Sequence, residues 1–311
     1  MPARSSRPRV AIFGPHPLLT VTVEARPDGR DEIHFHAGGQ GVWVARMVAE
    51  LGAEPVLCSF AGGESGALLR TLLATLPGEL RLVETAAGNG SYVIDRRGGE
   101  RKAVAQALAG APSRHELDDL FSITVAAALT SRALVVCNGF PPEVLPDAIY
   151  GALVADVRAN GVPVLADLSS PRLDSALTGR PDLVKINDWE LAGWVAGPVS
   201  EPEQLRAAAR RLLEAGAGTA IITRAERPAL AITPERELEV VPPAFARGAR
   251  EGCGDSMMGA LAAAVARGLD WEDALRLGAA AGAVNFLRRG LGTGARPAIE
   301  ELRERVELRP A

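Results

Sequence analysis

Aromatic residues are scarce in this chain: they make up 4% of 311 residues, against 47% hydrophobic residues overall. The interior must therefore be built from Ala, Val and Leu. Cysteines are scarcer still. Cys58, Cys137 and Cys253 are odd in number and far apart, which excludes a disulfide framework and gives no metal-ligand spacing. His16, His34, His36 and His115 also lack metal spacing. An excess of positive charge is missing, since the net charge is −4, and a phosphate-backbone binder needs a basic surface. No apolar run reaches the length of a membrane span. The Arg-rich start lacks the apolar stretch of a signal peptide, so residues 1–9 are expected to form a loose tail. These absences describe a soluble, reduced, cytoplasmic protein with neither nucleic acid nor membrane as partner.

Glycine, by contrast, is plentiful at 33 residues, and its placement is informative. Gly252-Cys253-Gly254-Asp255 opens a run of small apolar residues, Ser256 to Arg267, with the composition of a closely packed helix. A helix N-terminus with free amides attracts anions. A carboxylate at such a site either caps the helix or serves as a base beside a phosphate cradle.

Through the C-terminal two thirds, short apolar runs alternate with helical patterns. Ala133–Cys137, Val162–Ala166, Asp182–Ile186 and Ala220–Thr223 read as strands, with Leu230–Ile232 as an edge strand. Glu143–Asn160 and Glu203–Ala215 read as helices between them. This order implies α/β architecture with a mostly parallel sheet covered on both faces, ligands binding at the carboxyl ends of its strands. The N-terminal third differs. Thr20–Val23, Glu32–Phe35 and Gly90–Asp95 alternate like strands with one wet face, and they suggest a small projecting sheet, a lid drawn from about 20–36 and 90–104. The remainder, 10–311, reads as a single domain.

Three further motifs accompany the cradle. Gly38-Gly39-Gln40-Gly41 opens a helix from about Val42 to Leu51, where a ligand can approach the backbone closely. Lys185-Ile186-Asn187-Asp188-Trp189-Glu190 ends a strand, with Asn187 and Glu190 spaced to share one face of a first helical turn. That pair can hold hydrated magnesium and nucleotide phosphates, or merely start a helix. Ala280–Ala283 with Gly290–Gly294 offers small residues to a flat adenine ring.

In this order and spacing the motifs resemble the ribokinase-like (PfkB) carbohydrate kinase family, nearest its 1-phosphofructokinase and tagatose-6-phosphate kinase branch. The resemblance runs from about Val10 to Gly294. It implies a three-layer α/β/α sandwich with a β-lid, ATP with magnesium as cofactors, and phosphoryl transfer to a sugar hydroxyl. Carried over by position, Asp255 is the base, and Gly252, Cys253 and Gly254 supply amides to the transferring phosphate. Lys185, Asn187, Glu190, Thr223 and Gly292 fall on the nucleotide side, Glu190 reaching magnesium through water. Thr20, Gly38, Gly39, Gln40, Trp43 and Asn138 fall on the acceptor side. An exposed small sheet also suggests a homodimer through the lid.

Departures from the pattern bear on the acceptor. His16-Pro17-Leu18-Leu19-Thr20 has no carboxylate where the branch has one. Gln40 replaces a lysine and Trp43 an asparagine. No arginine stands within Asn89–Tyr92, although Arg96, Arg97, Arg101 and Lys102 follow. Trp43 either stacks on a sugar face or packs beside Met47. These changes keep an unphosphorylated sugar, nucleoside or cyclitol open as acceptor, and a non-catalytic metabolite binder as a further alternative. The branch's Ser-x-Gly-x-x-Gly loop becomes Thr223-Arg224-Ala225-Glu226-Arg227-Pro228, with neither glycine kept. Cys253, at a helix N-terminus, is either a thiol of lowered pKa or a structural, unreactive one.

Overall fold

The computed structural model describes residues 7–288 and 290–311. Of the tail expected over 1–9, residues 1–6 lie outside the described ones, and Arg9 is already the first residue of β1 (Arg9–Phe13). In the described residues the chain continues through β2 (Leu18–Ala25), β3 (Asp31–Gly38), α1 (Gln40–Glu50), β4 (Glu54–Gly62), α2 (Gly63–Leu73) and β5 (Glu79–Thr85). Then come β6 (Ser91–Asp95), β7 (Lys102–Ala107), α3 (Arg114–Ala128), β8 (Ala133–Cys137), α4 (Ala148–Ala159), β9 (Val164–Asp167), α5 (Arg172–Thr178) and β10 (Leu183–Asn187). The remainder is α6 (Asp188–Val195), α7 (Pro202–Glu214), β11 (Ala220–Arg224), β12 (Arg227–Ile232), β13 (Glu237–Val241), α8 (Cys253–Arg267), α9 (Trp271–Phe286), α10 (Arg296–Arg303) and β14 (Glu307–Pro310).

The large sheet runs β14-β13-β12-β11-β10-β9-β8-β1-β4-β5. It is parallel from β5 through β11, then antiparallel through β12, β13 and β14. Alternation along β1 shows how the layers form. Val10 and Ile12 point into one buried cluster with α1, α8 and α9, while Ala11 and Phe13 point into another with α4 and α7. A sheet covered on both faces buries every strand residue, hence the continuous apolar runs. The scarcity of aromatics is answered by alanine: Ala260, Ala262, Ala263 and Ala264 of α8 are fully buried. At Gly259 an added Cβ would lie 2.7 Å from the Val44 carbonyl of α1.

The second sheet, β3-β2-β6-β7, is the lid. Its register places Thr20, Thr22, His34, His36 and Tyr92 on one face, and Val21, Val23, Ile33, Phe35 and Val93 on the other. Tyr92 meets Phe140, just beyond β8, at 5.4 Å between ring centroids.

Two sequence expectations are corrected. The helix expected over Glu143–Asn160 begins only at Ala148, after a single 3₁₀ turn at Pro142–Val144. Pro146 forces Leu145 into extended backbone (φ −110°, ψ 144°), as a residue before proline prefers. Leu230–Ile232 is not an edge strand, because β12 pairs with β11 on one side and β13 on the other.

Candidate active site

The carboxyl ends of β8, β9, β10 and β11 meet the N-termini of α1, α6 and α8. Gly252 is the N-cap of α8 at φ 76°, a left-handed angle, and a Cβ there would stand 3.1 Å from the Gly292 amide nitrogen. Only glycine suits both demands. The Cys253 amide turns back to the Arg250 carbonyl at 3.3 Å. The amides of Gly254 and Asp255, in the first helical turn, remain for a ligand. Asp255 is the third residue of α8, not its cap, so the capping alternative is not what the structure shows.

Around Asp255 stands a buried charge cluster that spacing alone did not assemble. The Lys185 ammonium lies 2.9 Å from an Asp167 carboxylate oxygen, the two side chains being only 6% and 9% exposed. A Cβ on Gly254 would come within 3.0 Å of that ammonium, so the lysine reaches over the cradle. Burial, with the nearby Asp167 carboxylate, pushes the Asp255 pKa up to about 7, against the opposing pull of Lys185 and a hydrogen bond from Gln40. Burial alone would lower Lys185, yet Asp167 and Asp255 outweigh it and raise its pKa. Such a cluster holds a carboxylate poised to take a proton near neutrality.

Asn187 and Glu190 close a reciprocal cap on α6. The Glu190 amide donates to the Asn187 side chain at 2.8 Å, and the Asn187 amide to Glu190 at 3.3 Å. Burial and Asp167 raise the Glu190 pKa. Both the helix-start reading and a rim position are thus realised in one pair. Thr223 pairs with Asn187 across β10 and β11, placing it on the same rim. The hairpin beyond it turns through Ala225 at φ 51°. Alanine there occupies the left-handed region at a cost of about 1–2 kcal/mol, so the turn survives without its glycine.

On the other side, Thr20, Gly38 and Trp43 line a cavity of about 460 Å³ between lid and body. Trp43 is therefore a cavity wall and only partly buried, not a core residue beside Met47. The same cavity is lined by His34, His36, Arg46, Arg96 and Arg101, with Glu24 the one carboxylate among the described lining residues. No arginine stands within Asn89–Tyr92; Arg101 arrives instead from beyond the β6–β7 turn. Gly39 caps α1 at φ 99°, and Gly292 (φ 61°) packs so closely on Trp43 that a Cβ would lie 2.5 Å from its Cα. Cavity and cradle are thus joined through Trp43, Gly292 and Gly252.

Gln40 and Asn138 turn inward to protein partners. The Asn138 backbone N–H donates to the Gln40 side-chain oxygen at 2.9 Å, and the Asn138 side-chain oxygen accepts from Arg172 at 3.2 Å. Ala280 and Ala281 are fully buried within the core, so they offer no surface to a ring. His16 is buried against Phe60, and burial lowers its pKa to about 4. Of the two readings of Cys253, the lowered pKa is not what the structure gives. Burial raises its pKa, and the Asp255 and Glu251 carboxylates add to that, overriding the helix terminus. Asn285 was not singled out by sequence; it holds the Glu251 carbonyl at 2.8 Å and accepts from the Thr293 amide at 3.2 Å, pinning the glycine loop to the cradle.

The family model described as "pfkB family carbohydrate kinase" matches residues 20–298 of this chain. The chain belongs to the PfkB family of carbohydrate kinases. It is 30% identical over 315 residues to an ATP-dependent 6-phosphofructokinase isozyme 2 of Mycobacterium tuberculosis (strain ATCC 25618 / H37Rv), covering 96% of this chain and 90% of the relative. It is 30% identical to a 1-phosphofructokinase of Rhodobacter capsulatus, over 78% of each. The crystal structure of phosphofructokinase-2 from Escherichia coli in complex with fructose-6-phosphate superposes with a TM-score of 0.81, 25% identity, and coverage of 96% and 99% of the two chains. The protein is a PfkB-family sugar kinase that uses ATP, on the ribokinase-like fold.

Proposed function

We propose that this PfkB-family kinase phosphorylates a hydroxyl of a sugar that already carries a phosphate, with Asp255 as general base. The carrying observation is the cavity beside Trp43, where Arg46, Arg96 and Arg101 stand against one carboxylate, Glu24, among the described lining residues. Charge-assisted contacts to phosphate are the strong ones, and they compensate here for the cations missing from Gln40 and from Asn89–Tyr92. The names of relatives that act on phosphorylated ketoses support the same reading.

The donor set fits ATP with magnesium. Free amides at the glycine cradle and Lys185 above them suit terminal phosphates. Glu190, at the rim beside the cradle, would hold a hydrated magnesium through water. When bound, magnesium neutralises phosphate charge. The acceptor phosphate settles on Arg101 and its neighbours in the cavity, and Trp43 backs the sugar. The acceptor hydroxyl gives its proton to Asp255 as its oxygen bonds to the γ-phosphorus and the bond to ADP breaks. The Gly254 and Asp255 amides and Lys185 offset the charge that gathers on the transferring group. The natural setting is the cytoplasm, where ATP and free thiols coexist, and recovery in a secreted fraction would count against it.

The test is ATP turnover with fructose 6-phosphate, fructose 1-phosphate, tagatose 6-phosphate and free ketoses. Phosphorylated acceptors should react, and Arg101→Ala should raise their KM by roughly 10- to 100-fold, for the loss of one charged hydrogen bond, with kcat changed far less. Turnover restricted to unphosphorylated sugars, or a KM indifferent to Arg101, would sink the proposal.

The opposite lid face fits a second copy of the chain. Ile33 and Phe35 are 57% and 55% exposed, and with Val21, Val23 and Val93 they form an apolar surface that a soluble protein covers. Light scattering should return a dimer, and Phe35→Glu should release monomer. A wild-type monomer at assay concentration would refute the pairing.

A further inference from the structure

The arginines that line the cavity are held in different ways. Arg96 faces the Glu24 carboxylate at 4.0 Å. Arg101 is exposed, in the turn that leads from β6 to β7. Arg46 comes from the body instead, one helical turn after Trp43 on the same face of α1. Its guanidinium spans two backbone carbonyls: Nη2 donates to Ala37 on β3 at 2.9 Å, and Nη1 to Leu291 in the glycine loop at 3.3 Å. Among the described residues it has no carboxylate partner, and burial alone acts on its charge. A half-buried guanidinium bonded only to neutral groups keeps both charge and donors for an anion, here at the cavity wall. Leu291 leads from there to the cradle. The amide nitrogen of the next residue, Gly292, lies 3.1 Å from where a Cβ on Gly252 would stand. Thr293 is tied through Asn285 to the Glu251 carbonyl, one residue before Gly252. One side chain therefore touches the acceptor cavity, the lid strand and the loop that backs the phosphoryl-transfer site.

We propose that Arg46 senses the phosphate already carried by the acceptor: the anion binds its guanidinium, and the bond to Leu291 directs part of that binding energy into fixing the glycine loop against the cradle. This role rests on the reading of a phosphorylated acceptor. Binding energy from a remote group raises kcat only where it is realised at the reacting centre, so Arg46 differs from Arg101. Loss of Arg101 is expected in KM; loss of the Arg46 fork is expected in kcat as well. Arg46→Lys keeps the charge but loses the planar fork that spans two carbonyls while facing an anion. A guanidinium that merely propped the loop would slow phosphorylated and free sugars alike.

The experiment separates the anion from the sugar. Turnover with magnesium-ATP is followed for whichever of fructose 6-phosphate, fructose 1-phosphate and tagatose 6-phosphate reacts fastest, and for the corresponding free ketose with and without phosphite. Phosphite in trans should raise kcat/KM of the free ketose in the wild type by roughly tenfold or more, the equivalent of one charged hydrogen bond. In Arg46→Lys that activation ratio should vanish, and kcat for the phosphorylated ketose should fall by roughly 10- to 100-fold. Arg101→Ala should keep the ratio at saturating phosphite. A free ketose indifferent to phosphite in the wild type overturns the proposal, as does a ratio that Arg46→Lys preserves or that Arg101→Ala abolishes. Should Arg46→Lys fail to fold, Arg46→Gln, which can still donate to one carbonyl, takes its place under the same criteria. Turnover restricted to free ketoses removes the phosphorylated-acceptor reading itself, whereas a preference for the phosphates with no effect of phosphite removes only the role of Arg46.

Discussion

Asp255→Ala should lower kcat by roughly 10²- to 10⁴-fold, the span a general base contributes, while ATP still binds. The pH dependence follows from the raised pKa of about 7. Only the ionised carboxylate accepts a proton, so wild-type kcat should fall about tenfold per unit as pH drops below that value, with a plateau above it. Stability should respond in the opposite sense. The folded state holds this proton more tightly than the unfolded chain, whose pKa is near 3.8. Ionising Asp255 in the fold therefore costs stability, progressively between those two values and fully above the higher one. Asp255→Asn removes the cost. It should raise the melting temperature at pH 8 by roughly 2–3 °C, the equivalent of about 1–2 kcal/mol after allowance for residual solvent contact, while leaving the melting temperature at pH 4 almost unchanged. Calorimetry at the two pH values, beside steady-state kinetics, reads both effects. Full activity in Asp255→Ala would discard the base, and a pH-independent stability change would discard the electrostatic account.

Lys185→Met should be the most destabilising single change at the site. It leaves the Asp167 carboxylate, 9% exposed, without its cation and facing Asp255. Removing one partner of a buried ion pair costs about 3–5 kcal/mol, read as a fall of roughly 5–8 °C in melting temperature for a chain of this size. The Asp255 titration should rise, because the one nearby cation that lowers it is gone, and the acid limb of kcat should follow. The double variant Lys185→Met/Asp167→Asn should recover most of the stability and little of the activity. Recovery of both would mean that Lys185 matters only as a counterion; recovery of neither would mean that the lysine stem fills space the pair does not.

Much of this site could be read from sequence wherever the backbone itself imposes the residue. Gly252 must turn left-handed at the head of α8, and Asn187 with Glu190 must cap α6, so local spacing carries both. Side chains that meet across strands left no such signal. The Asp167–Lys185 pair depends on β9 lying beside β10, and Gln40 reaches Asn138 only because β8 adjoins β1, with α1 packed above. Arg101 was outside the expected window because a turn and an irregular register between Val93 and Ile94 carry it back over the cavity. On the fold, the parallel strands from β8 to β11 were legible as apolar runs. The interior position of β12 was not, because β13, which pairs along its other side, carried no strand signal that was read.

The lid strand β3 alternates residue by residue between two audiences: His34 and His36 address the cavity, Ile33 and Phe35 the outside. Inserting or deleting a single residue there would exchange the two sets at a stroke. The cavity lining and the exposed apolar face are therefore yoked in this segment during evolution. Descendants of the chain can retune either by replacing side chains in place, but a change in the length of β3 must rewrite both together.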